Sequence, residues 1–243
     1  MQSDTQPTGL GMPQFLLLWT AVLIVVRLAY SVISSLAGSL GSALAPGQLH
    51  RVAMDVGDMA SVVVVALAWW MLLSRLQGHP TMARWMKATV VGVVAWFVLT
   101  YGFELLAFSG VQLDPAQRAD RIMQLTTDTG GAALFVAVSA LALAAIPLCQ
   151  ALALRPGFRR VYLWPVPFLI TAGVSPLIHM QTIQWLVLGL EDQNQVVRAF
   201  LLQGLLSNAL TAAVLGVLSG VTMIAMSPPG AFRQLGDGGF SHG

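Results

Sequence analysis

Charge is what this sequence has least of. Only 9% of its 243 residues are Asp, Glu, Lys or Arg, against roughly 25% in a soluble domain. Beside 56% hydrophobic residues and a mean hydropathy of +0.76, that scarcity excludes a water-soluble globule and points to an integral membrane protein. The formal net charge of +2 is too small to suggest a nucleic acid as partner. Lysine is scarcer still, with Lys87 alone among arginines. Cysteine is represented by Cys149 only, which excludes an internal disulfide framework. No H-E-x-x-H zinc helix occurs. The run Gly173-Val-Ser175 is not completed to a G-x-S-x-G elbow, because Leu177 stands where the last glycine belongs.

Long apolar runs are what the chain has instead. A helix needs about 20 residues to cross a bilayer core of about 30 Å. Six segments reach that length, at approximately 14–40, 54–76, 86–109, 130–153, 161–190 and 197–226. The expected fold is therefore all-α, a polytopic membrane protein with short loops. The first run is too long for a signal-peptide core and lacks a clear cleavage site, so it is counted as a true span. Residues 1–13 are expected as a cytoplasmic tail, 14–226 as the transmembrane domain and 227–243 as a disordered tail.

Proline and glycine punctuate this pattern. Gly41 to Gly47, with Pro46, reads as a turn. Asp114-Pro115 reads as an N-cap opening a short surface helix to about Leu125, and Asp128 as a cap for the fourth span. Glu191 to Gln195 reads as a polar loop. Pro165, Pro167, Gly173 and Pro176 mark the fifth span as broken. The fourth span, rich in alanine, is expected between other helices. Ser34, Gly38 and Ser42, and again Ala212, Gly216 and Gly220, repeat every four residues as small-residue faces that suit close helix contact.

Orientation follows from basic residues. Even span number puts both termini on one side, with Arg75, Arg84, Lys87, Arg155, Arg159, Arg160 and Arg233. Arg51, Arg118, Arg121 and Arg198 fall on the other. This bias favours cytoplasmic termini in a bacterial-type inner membrane. Trp19, Trp85 and Trp164 are then expected at the inner interface and Trp185 at the outer, as an aromatic belt.

The few polar groups within the spans share a depth. Arg27 stands about 20 Å above the inner face, and Asp58 and Glu104 about 25 Å, counted at 1.5 Å per residue. His179 reaches roughly 28 Å, and Gln203 lies about 8 Å below the outer face. Asp55 shares a helical face with Asp58. The inner part of the membrane domain is expected to be an apolar plug, and the outer part a polar vestibule. Arginine stays charged because its pKa exceeds about 12, so Arg27 requires a partner. Glu104 is favoured over Asp58, because it is farther from the competing Arg51.

Arg27, Asp55, Asp58, Glu104, His179 and Gln203 thus form the candidate ligand or ion-pair cluster. A metal held by the three acids and His179 is weighed, but the spacing carries no metal motif, and no cofactor is implied. The primary reading is a protein that binds or transports a small solute or cation. The alternative is a membrane scaffold or accessory subunit, meeting a partner through its small-residue faces, in which the charges only fix helix register. A membrane enzyme acting on lipid or envelope substrates is weaker, since no catalytic constellation is present.

Overall fold

The computed structural model describes residues 11–44, 48–76, 79–107, 129–186, 193–228 and 231–232. Among these residues the fold is all-helical, and six helices are long and apolar enough to cross a membrane. They are α1 (Met12–Leu44), α2 (Gln48–Leu73), α3 (Met82–Ala107), α4 (Thr129–Leu154), α5 (Val166–Leu186) and α6 (Gln193–Met226). Each corresponds to one expected span: α1, α4 and α6 contain theirs whole, whereas α2 covers 54–73 of the expected 54–76, α3 covers 86–107 of 86–109, and α5 covers 166–186 of 161–190. Helix α1 continues to Leu44, into the expected turn, and α6 begins inside the expected polar loop. The short helix expected over 115–125 and the Asp128 cap lie outside the described residues.

Local chemistry explains the ends. Pro13 falls in the first turn of α1, where its missing N–H costs no helical hydrogen bond. Thr81 Oγ1 accepts from the Arg84 backbone N–H at 3.3 Å and caps α3. The break in the fifth span lies at its start. Arg160 adopts a left-handed φ of 53°, a short 3-10 turn covers Val161–Leu163, and α5 opens after Pro165. Pro176 does not break the span further, since α5 runs through it, as α4 runs through Pro147. Neighbouring helices make such interior prolines tolerable in a membrane.

The helices form a ring in chain order. Each packs on its sequence neighbour, and α1 closes the ring on α6. The most extensive seams are α3–α4 and α1–α6, and the thinnest are α2–α3 and α4–α5. Two glycines permit the tight seams. A Cβ on Gly92 would lie 2.6 Å from Ile146 Cα, and one on Gly216 would lie 2.8 Å from Thr20 Cα. The Ala212–Gly216–Gly220 face is therefore occupied by α1 of the same chain. Helix α4 packs between α3 and α5 in the ring, as expected from its small residues, and leaves Leu141, Leu148 and Leu152 exposed on its outer face.

The core sits at the end of the ring where α1 begins. Trp19, Trp69, Trp85 and Trp164 are all buried there. Trp19 and Trp69 stack at 4.4 Å, and Trp164 meets both edge-on at 6.1 and 6.0 Å. Every indole N–H in this quartet has an internal acceptor. Trp19 donates to Ser219 Oγ at 3.0 Å, Trp69 to the Trp19 carbonyl at 3.2 Å, and Trp85 to the Ala66 carbonyl at 2.7 Å. Trp164 donates to Gln150 Oε1 at 3.1 Å, and Gln150 Nε2 donates to Thr89 Oγ1 at 3.0 Å. Trp19, Trp85 and Trp164 are thus not a lipid-facing belt. Their polar edges are satisfied inside the bundle, which removes the reason for a tryptophan to sit at the headgroups. Beyond α6 the chain turns back, and buried Phe232 packs edge-on against Phe15 at 5.1 Å. Of the expected tail, residues 227–228 and 231–232 are described, and the rest lies outside the described residues.

Candidate functional site

The ring encloses a cavity of about 240 Å³ to which every helix contributes. Leu23 and Arg27 come from α1, Asp58, Val62 and Trp69 from α2, and Trp96 from α3. Pro147 and Gln150 come from α4, Phe168 from α5 and Leu215 from α6. Most of this lining is apolar. From Asp58 to Trp69 the rise along α2 is roughly 16 Å, which sets the length of the slot.

Polar groups mark the two ends. At the floor, Gln150 is only 2% exposed and ties α3, α4 and the turn before α5 together through Thr89 and Trp164. At the other end, Arg27 Nη1 donates to Asp58 Oδ1 in an ion pair between α1 and α2. The two side chains are 30% and 34% exposed. Each helix anchors its charged residue locally: Ser31 Oγ donates to the Arg27 carbonyl at 2.8 Å, and Ser61 Oγ to the Asp58 carbonyl at 2.6 Å. Gly57 lies against the Tyr30 ring, where an added Cβ would stand 3.3 Å from it.

The pairing differs from the expectation that Glu104 would hold Arg27. Helix α1 packs on α2, while α3 packs on α2 and α4, so Asp58 is on the adjacent helix. Equal depth did not specify which helices are neighbours. Asp55 and Glu104 lie in α2 and α3, and their side chains are outside the described residues.

His179 and Gln203 meet elsewhere, between α5 and α6. Gln203 Nε2 stands 3.0 Å from His179 Nδ1 and donates to Thr182 Oγ1 at 3.1 Å. Thr182 Oγ1 in turn donates to the His179 carbonyl at 2.9 Å. Gln203 and Thr182 are buried, at 3% and 1% exposure. Beside them lies an open groove of about 360 Å³, lined by Ser175, Pro176, His179, Gly204, Ser207, Asn208 and Thr211. Ser175 and His179 share the groove, but the ring nitrogen's hydrogen-bonding neighbour is Gln203. Among the described residues no three His, Cys, Asp or Glu side chains converge as metal ligands.

The four predicted residues whose side chains are described fall in two separate places. Two form the ion pair and two form the α5–α6 network; the other two predicted residues have no described side chain. Gln150, Thr89 and Ser219 were missed. Their signal was present in the sequence as polar residues inside otherwise apolar runs, at the level of the tryptophans.

No protein-family model matches the chain, and neither curated proteins nor solved structures give a match. What fold and site define is a class: a multi-pass helical membrane protein with an internal cavity, charged at one end and aromatic at the other.

Proposed function

We propose that this protein binds a small solute in the cavity within its helix ring, with the polar end of the solute at Arg27 and Asp58. The observation that carries this reading is the cavity itself, about 240 Å³ and lined from all six helices. A bundle built only for scaffolding gains by filling such a space, since each unfilled methyl-sized void costs about 1 kcal/mol. The mostly apolar wall favours a molecule with substantial apolar surface over a bare ion. An ion would be dehydrated there with Asp58 as the only carboxylate among the described lining residues. The ion pair supplies both a fixed cation and an anion, so a polar group on the solute can exchange with either partner.

The test is stabilisation of the purified full-length protein by added small molecules, with and without a cavity-filling substitution. Val62→Phe places a ring in the slot. It is expected to remove ligand-dependent stabilisation while leaving the unliganded protein folded. Ligand stabilisation that is undiminished in Val62→Phe would refute the cavity as the site.

The arginine bias supports cytoplasmic termini, which puts the ion-pair end of the cavity toward the outside. Reporter fusions after Pro80 and Arg155 are expected to read cytoplasmic and one after Gln117 external. An external reading at Arg155 would reject this orientation.

A further inference from the structure

We infer that the α5–α6 groove is the headgroup end of the central cavity, and that the ligand is a single-chain amphiphile with an anionic, oxygen-rich headgroup. This rests on the cavity reading above and names its ligand class. The first support is helical phase. Phe168 of α5 and Leu215 of α6 line the cavity. Ser175 and His179 follow Phe168 by seven and eleven residues, and Thr211, Asn208 and Gly204 precede Leu215 by four, seven and eleven. Those offsets keep one face of a helix. The groove therefore continues the cavity-facing sides of both helices, roughly 6–16 Å farther from the tryptophan floor. Arg27 leaves the floor in the same direction, eight residues beyond Trp19 on α1. An apolar slot with a closed aromatic floor and a polar continuation matches a chain with a headgroup.

The second support is the donor chemistry of the polar end. Because Thr182 Oγ1 gives its proton to the His179 carbonyl, it can only accept from Gln203. That assigns the Gln203 NH₂ to this side and sends its other N–H toward His179 Nδ1. With Nδ1 accepting there, a neutral ring carries its proton on Nε2, as a donor. Buried Gln203 and Thr182 hold that tautomer in place. Across the path, the Arg27 guanidinium donates through Nη1 to Asp58 and carries four further N–H donors on the same planar fork. A guanidinium edge and an imidazole N–H together suit phosphate or carboxylate oxygens.

The experiment uses the full-length protein in digitonin, whose sterol body does not mimic a single chain. Thermal midpoints are titrated with dodecyl phosphate, laurate, dodecanol and inorganic phosphate. Both anionic amphiphiles are expected to bind at least about tenfold tighter than dodecanol, the equivalent of one charge-assisted hydrogen bond. Inorganic phosphate is expected to give no shift. His179→Ala should lower affinity for the anions about tenfold and leave dodecanol unchanged, with Gln203→Leu falling between. Equal affinity for the anions and the alcohol in the unsubstituted protein would overturn this inference and leave the cavity reading standing, whether or not the variants fold. Undiminished dodecanol binding in Val62→Phe would overturn the cavity reading itself. A saturable shift with inorganic phosphate alone, lost in His179→Ala, would make the groove a free-anion site and overturn the amphiphile.

Discussion

Removing Asp58 should be more harmful than its position at the cavity edge suggests. In Asp58→Asn the Arg27 guanidinium keeps its charge, because no protonation change is open to it. It loses the acceptor that α2 supplied, and the described residues around it are largely apolar. A buried pair broken from one side costs about 3–5 kcal/mol, while an exposed pair is worth about 0–1. With the partners 30% and 34% exposed, the expected loss lies between these limits, at about 2–3 kcal/mol. Arg27→Leu should cost a similar amount by stranding the carboxylate. The double variant removes both charges and should recover most of the loss, since an apolar replacement of a whole pair is close to neutral. Unfolding of the four proteins by graded SDS in mixed micelles gives the coupling energy. It should be at least about 1.5 kcal/mol, whereas Glu104→Gln combined with Arg27→Leu should add within about 0.5 kcal/mol. Additivity in the Asp58 cycle would refute the pairing, and coupling in the Glu104 cycle instead would restore the assignment by depth.

Two further predictions concern the frame around the cavity. Gly92→Ala should cost about 1–3 kcal/mol, because its Cβ meets the α4 backbone at 2.6 Å; Gly102→Ala, with nothing within 4 Å, should be neutral or gain up to about 1 kcal/mol of helix propensity. Equal effects in the same unfolding assay would mean that α3 and α4 do not meet closely at Gly92. Gln150→Leu should cost about 1–3 kcal/mol by leaving the buried Trp164 N–H without an acceptor. Its near-ultraviolet circular dichroism should lose intensity from the tryptophan quartet, and an unchanged spectrum and stability would count against the hydrogen bond.

Hydropathy made the six spans legible, because crossing a membrane demands a length of apolar helix that nothing else in the chain needs. Depth was legible for the same reason: rise per residue is fixed, and Arg27 and Asp58 were counted to within about 5 Å of each other. Azimuth was not. Whether Asp58 or Glu104 faces Arg27 depends on which helices are neighbours, and the ring order is a property of packing. The tryptophans failed differently. A tryptophan near a helix end meets the same sequence description whether it lies in the headgroups or within the bundle. What separates the cases is an internal acceptor, and Ser219 and Gln150 were such acceptors, on helices distant in the chain. The expectation of an apolar inner plug overlooked them. Pro176 was read with Pro165, Pro167 and Gly173 as marking a broken span, because a proline removes a helical hydrogen bond; the helix runs through it nonetheless.

Ring closure between α1 and α6 also bears on biosynthesis. Of the six helices a ribosome delivers α1 before the others, yet the one it packs on most extensively, α6, follows the other five. Until α6 arrives, the α1 surface that finally covers Gly216 and Gly220 has no counterpart, and the Trp19 indole lacks its Ser219 acceptor. Assembly therefore carries a long delay between insertion and docking, the membrane equivalent of high contact order. During that interval α1 depends on lipid or on the insertion machinery to shield it. A chain that stops before Ser219 would leave that surface permanently open to the cell's quality control.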